Sequence, residues 1–187
     1  MAYPDSNRFQ EPTKLWNKWY ITILLLSMVN HVASQLITPI VSKYAMSIGA
    51  TMATAGTIVG LMSLAAMFAR PFAGLSSDRI NKKLIIAVTG AVTGVCMYLY
   101  SASKSVEMMA AVRFVHGISF SFSTVALLAF NTMFIPKDKI GEGIGWSVVT
   151  TTLATAMGPN LGLWLVDHFG YKACFAAAAI GTIIPNL

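Results

Sequence analysis

Arg113 stands inside an apolar run, "AAVRFVHGISF", and is the first residue here with chemistry to explain. At about 1.5 Å per helical residue it lies on the order of 9 Å inward of Glu107, too deep for an ordinary end anchor. A charge at that depth in hydrocarbon costs about 3 kcal/mol or more, so it marks an ion or solute pathway. His116, close by, titrates near neutral pH when unperturbed. A second group of polar residues lies near the N-terminus. Ser27, His31, Ser34 and Thr38 are spaced by four, three and four, and so share one helical face, flanked by Asn30 and Gln35. Hydroxyls and an imidazole on one apolar helix suit a cavity that binds a solute; the alternative is hydrogen bonding between helices without transport. Arg113, Gly117, Phe120 and Thr124 form a comparable stripe. The third group is the stretch "RPFAGLSSDRINKK", Arg70 to Lys83, which places Arg70, Asp78, Arg79, Lys82 and Lys83 between two apolar runs.

Other chemistries find no support. There is no Gly-x-Ser-x-Gly elbow, phosphate loop or His-Glu-x-x-His helix, so no enzyme is expected. Cys96 and Cys174 lie far apart in apolar surroundings and read as inert thiols, with no metal or cofactor implied. The net charge of +6 comes from bases scattered singly at the ends of apolar runs, which suits anionic headgroups and not nucleic acid.

The elements that must hold these residues are membrane helices. Hydrophobic residues make up 56% of the 187, and 11% are charged, against roughly a quarter in a soluble domain. Six apolar segments approach the roughly 20 residues needed to cross a bilayer. They run from Trp19 to Ile40, Ile48 to Phe72, Leu84 to Tyr100, Met108 to Phe134, Ile144 to Val166, and Ala173 to the C-terminus. The expected organisation is a polar tail, residues 1–18, followed by a bundle over residues 19–187 that is cut short within or at the end of its sixth helix. Pro71 and Gly74 are expected to help end the second span.

Orientation follows from the bases. The tail holds Arg8, Lys14 and Lys18, the second connection Arg70, Arg79, Lys82 and Lys83, and the fourth Lys137 and Lys139. The odd connections hold only Lys43, Lys104 and Lys172, so the N-terminus and even connections are expected in the cytoplasm. Small residues four apart (Gly56 with Gly60, Gly90 with Gly94, Gly158 with Gly162) are expected to let helix backbones approach closely.

Three of these stretches carry a resemblance. Gly74, Asp78, Arg79, Lys82 and Lys83 resemble the Gly-x-Leu-Ala-Asp-Arg-x-Gly-Arg-Lys loop of the major facilitator superfamily. Ser76 and Ser77 replace Leu and Ala, and Asn81, which tolerates a left-handed backbone, replaces the second Gly. "RFVHG" resembles the family's Arg-x-x-Gln-Gly motif, with His116 in place of Gln. Gly145, Ala154, Gly158, Pro159 and Gly162 resemble the antiporter motif typical of its exporters, with Leu163 where a second Gly often stands.

The resemblance implies an all-α membrane protein, six transmembrane helices as two inverted three-helix repeats, forming the N-terminal half of a twelve- or fourteen-helix transporter. It further implies a cytoplasmic latch at Asp78 and its neighbouring bases, proton coupling at Arg113 and His116, and a bending helix at Gly158 and Pro159. "PFAGLSSD" echoed by "PNLGLWLVD" agrees with inverted repeats. The expected function is proton-coupled export of small organic compounds, as in multidrug efflux, by a multi-pass plasma-membrane protein. Its partners would be a small-molecule substrate, protons, the bilayer and a missing C-terminal six-helix half. An uptake carrier of the same fold and a non-transporting scaffold are the alternatives.

Overall fold

The computed structural model describes residues 14–186, so most of the expected tail, including Arg8, and the terminal Leu187 lie outside the described residues. Among those described, the chain is helical throughout, with no strand. Helix α1, Lys18–Leu36, starts at Asn17, whose side chain accepts from the Tyr20 N–H and donates to the Phe134 carbonyl oxygen at 2.8 Å. One side chain thus caps α1 and ties it to a distant connection. Helix α1 ends at Ile37, and α2, Thr38–Ser47, restarts at once with Pro39 in its first turn, where a missing N–H costs least.

Helix α3 spans Met52–Arg79 and α4 Lys82–Ala102. Helix α5 spans Val106–Thr132, capped by Ser105, and a short 3-10 turn, Lys137–Lys139, leads into α6, Ile140–Asn186. The stretch Lys18–Ser47 and helices α3, α4 and α5 are each long and apolar enough to cross a bilayer. Helix α6 is two limbs joined at Gly170, whose φ of 78° and ψ of 172° no ordinary L-residue adopts comfortably.

Several sequence expectations are corrected here. Pro71 and Gly74 do not end their helix: α3 runs through both to Arg79, and Ile80 and Asn81 alone separate it from α4. Ala73 and Ser77 remain buried, so packing holds the helix on course past the bond that Pro71 cannot make. Asn81 is not left-handed, with φ −59° and ψ 119°; it caps α4 by accepting from the Lys83 N–H at 3.0 Å. The first span passes Ile40 and continues to Ser47, interrupted only at Ile37, and the next helix starts at Met52 instead of Ile48.

The main core gathers Ile37, Ile40 and Val41 with Met97, Tyr100, Met109 and Phe175, drawn from α1 to α6. Outward faces carry Phe68, Phe72, Tyr98 and Ile184, all more than 60% exposed, which fits hydrocarbon surroundings. Glycines set the closest approaches. A Cβ on Gly117 would strike the Met62 carbonyl oxygen, and one on Gly90 or Gly94 would strike Asn186 or Ile183 of α6. Gly56 and Gly60, expected to pack in the same way, have open space beside them.

Candidate functional site

A cavity of about 240 Å³ lies between α1, α5 and the first limb of α6. Ser27 and His31 line it from α1, Thr124 and Asn131 from α5, and Ser147 and Thr151 from α6. The expected polar face of α1 therefore divides. Ser27 and His31 reach the cavity, whereas Asn30 is buried against Asn186, which donates to its Oδ1 at 3.1 Å. Ser34 is buried too, and Thr38 lies past the Ile37 break, its hydroxyl reaching the Ser34 carbonyl at 3.5 Å. Asn30, Ser34 and Thr38 are absent from the cavity lining.

A chain of rings leads from the cavity into the core. The Phe120 centroid lies 6.3 Å from that of His31 and 6.5 Å from that of His116, edge to face with both. The His116 Nδ1 meets the Tyr100 hydroxyl at 3.1 Å, and Tyr100 stacks on Phe175 at 5.6 Å. Arg113 is 1% exposed and His116 wholly buried. Arg113 Nε and Nη1 and His116 Nε2 have no hydrogen-bond partner.

Asp78, Glu107, Asp138, Glu142 and Asp167 are all exposed, so no described carboxylate is buried with Arg113. A guanidinium in this setting is a strong attractor for any acceptor or anion that reaches it. The arrangement can hold an anionic or hydrogen-bond-accepting group beside Arg113 and the His116 ring.

The glycine-rich face of α6 abuts the α1–α2 break. A Cβ on Gly158 would stand 2.6 Å from Gln35 Cβ, and one on Gly162 would collide with the Leu36 carbonyl oxygen. Ala154 is fully buried on that face, and Gln35 Nε2 donates to Thr155 Oγ1 at 3.2 Å. Pro159 cannot donate to the Thr155 carbonyl, so the helix is weakened where it touches another interrupted helix. Gly145, in the same motif, is exposed with nothing near it.

The latch residues are not brought to the ring chain. Gly117 packs at the level of Met62 and Ala65 in α3, and Asp78 is thirteen residues further on, about 20 Å away. Asp78, Arg79 and Lys83 are exposed at the junction of α3 and α4, with Lys82 half-buried and Gly74 beside open space. Lys83 Nζ sits 5.8 Å from the Phe130 ring centroid.

Tyr100, Asn131 and Ser147 were absent from the sequence-based candidates. Asn131 was within reach, because it continues the stripe from Arg113 through Gly117, Phe120 and Thr124 by seven further residues.

Comparison with known proteins agrees with this architecture. The Major Facilitator Superfamily model matches residues 23–184. An uncharacterized MFS-type transporter of Methanocaldococcus jannaschii is 32% identical over 139 residues, which cover 74% of this chain and 36% of that protein. The quinolone resistance protein NorA of Staphylococcus aureus is 20% identical over 148 residues, covering 79% of this chain and 38% of that protein. The chain thus spans a little over a third of the length of these curated relatives.

Proposed function

The chain belongs to the Major Facilitator Superfamily, and we propose that it forms the N-terminal six-helix half of a proton-coupled exporter of small organic compounds. It is a multi-pass membrane protein; the two limbs of α6 would be the fifth and sixth spans of a bundle built as two inverted three-helix repeats, residues 19–187. The N-terminal tail, residues 1–18, and the α3–α4 junction would face the cytoplasm at the plasma membrane.

The observation that carries the reading is the ring chain between the cavity and the buried charge. His31 borders the cavity, Phe120 touches both imidazoles, and His116 lies beside Arg113 with no described carboxylate buried near them. A solute arriving in the cavity and a proton arriving near Arg113 would then influence each other through one ring. Such coupling needs a structure with two arrangements that both ligands bias. The contact of Gly158 and Gly162 with the α1–α2 break supplies a candidate moving joint, Pro159 included.

The outward direction is supported by Gly145, Ala154, Gly158, Pro159 and Gly162 at exporter spacing, and by similarity to a protein named for quinolone resistance. A second six-helix half has a place to dock. Gly56, Gly60, Ser63, Met67, Gly74 and Asp78 fall on one side of α3 by its 3.6-residue period, and Gly56, Gly60 and Gly74 have nothing within 4 Å. Asp78 at the end of that stripe would act with Arg79, Lys82 and Lys83 as a latch against the second half.

Ethidium efflux from loaded cells that express the complete gene product tests the reading. Export that stops when a protonophore collapses the gradient is expected. Accumulation of the dye driven inward would favour uptake, and no gradient-dependent movement of ethidium would reject this exporter assignment for that probe.

A further inference from the structure

Resting on the reading of the cavity as a solute site, we propose that Asn131 sets its ligand preference: the Asn131 carbamoyl oxygen accepts a hydrogen bond from the N–H of a small, otherwise apolar amine. Asn131 meets Ser147 through its amide nitrogen, which leaves the oxygen end free. Ser147 Oγ donates to the Gly143 carbonyl oxygen at 3.1 Å, an acceptor it shares with the Tyr20 hydroxyl at 2.9 Å. Ser147 must then accept from Asn131 Nδ2, at 2.8 Å. The amide nitrogen faces Ser147, and Oδ1 is left buried with no partner, on a residue that is 3% exposed. A buried acceptor without a donor carries a desolvation penalty that a donor-bearing ligand removes.

Most of the remaining lining has the same polarity, the Ser27 hydroxyl excepted. Thr124 donates to the Phe120 carbonyl at 2.9 Å, Thr150 to Ser147 at 2.8 Å and Thr151 to Val148 at 2.8 Å. Their protons are spent within their own helices, and only lone pairs remain. His31 Nδ1 lies 3.3 Å from the Ser27 carbonyl, so Nδ1 carries the proton and the neutral ring offers Nε2 as an acceptor. Acceptors therefore outnumber donors in the cavity, where the Ser27 hydroxyl is the remaining side-chain O–H, between walls supplied by Leu127, Leu128, Ile144 and Val148. No described Asp or Glu lines it. An ammonium group offers several donors to converging acceptors, where an alcohol offers one, and a charged donor makes the stronger bond. The volume suits a single aromatic ring on a short chain.

Calorimetric titration of the full chain in lipid nanodiscs tests this without requiring transport, so a chain that binds amine but exports nothing would reject only the exporter reading. The probes are phenethylamine, its N,N,N-trimethyl analogue, which keeps the charge but has no N–H, and phenylacetate, which can only accept. Wild type should bind phenethylamine at least about tenfold more tightly than either other probe. Asn131→Leu should weaken phenethylamine about tenfold and leave the trimethyl analogue unchanged, the latter also showing that the site is folded. Asn131→Asp, which keeps the acceptor and adds charge, should bind phenethylamine at least as well as wild type. No binding of phenethylamine, equal binding of the trimethyl analogue, tighter binding of phenylacetate, or Asn131→Leu or Asn131→Asp departing from these results would overturn the proposal.

Discussion

Gly162 lies against Leu36 so closely that the Leu36 carbonyl oxygen occupies the space a Cβ would need. The contact joins two interrupted helices: α1 ends at Leu36 itself, and Pro159 weakens α6 less than one turn before Gly162. Gly162→Val should therefore destabilise the 187-residue chain by about 1–3 kcal/mol, the usual cost of overpacking. Gly145→Val, in the same motif but beside open space, should be nearly neutral in this chain. Unfolding in nanodiscs or mixed micelles, followed by circular dichroism, compares the two. Equal stability of both variants would remove Gly162 from the joint.

Tyr100 and His116 form a second such pair. Tyr100→Phe keeps the stack on Phe175 but leaves both nitrogens of a buried imidazole without a partner. A loss of about 1–3 kcal/mol is expected. Tyr98→Phe, on an exposed face two residues away, serves as the control and should lose almost nothing. The same unfolding measurement decides between them, and a Tyr100→Phe protein as stable as wild type would show that the 3.1 Å contact contributes little.

These contacts mark the boundary of what was legible in the sequence. Apolar runs, Gly pairs and the buried position of Arg113 are local features, and they were readable because bilayer dimensions constrain them. The end of α3 was misread because Pro71 and Gly74 stop soluble helices, whereas a membrane helix with Ala73 and Ser77 packed continues past them. Asn30 was assigned to the cavity because it neighbours His31, yet its partner, Asn186, is 156 residues distant. Tyr100 was passed over for the same reason: nothing in its own helix announces His116. Gly56 and Gly60 have the spacing of Gly90 and Gly94, and only the neighbours differ.

Orientation is open to direct test in intact cells. Cysteines replacing Lys104 and Lys172 should react with an impermeant maleimide added outside, and those replacing Lys82 and Lys137 only after permeabilisation. The expectation follows from the excess of bases near the N-terminus and the even connections. Inverted labelling would overturn the proposed orientation.

Asp78 gives a prediction that depends on the second half. In this chain it is exposed at the end of α3, and Asp78→Asn should leave stability unchanged within about 0.5 kcal/mol. In the complete transporter, losing a latch contact worth about 1.4 kcal/mol would shift the balance of two conformations about tenfold. Turnover per molecule should fall while probe affinity for the competent state holds. Normal turnover at matched membrane abundance would leave Asp78 as a solvated charge.

Coupling at Arg113 is tested most directly by reconstituting the complete transporter in proteoliposomes and imposing a pH gradient. Ethidium movement is recorded in wild type and in Arg113→Ala, with dye binding measured separately at equilibrium. Removing a buried charge next to His116 alters the proton equilibria that the gradient must act on. Coupling through Arg113 predicts gradient-driven transport by wild type, and an Arg113→Ala protein that still binds dye but moves it at the same slow rate with or without the gradient. An Arg113→Ala protein whose transport responds to the gradient as wild type does would contradict it.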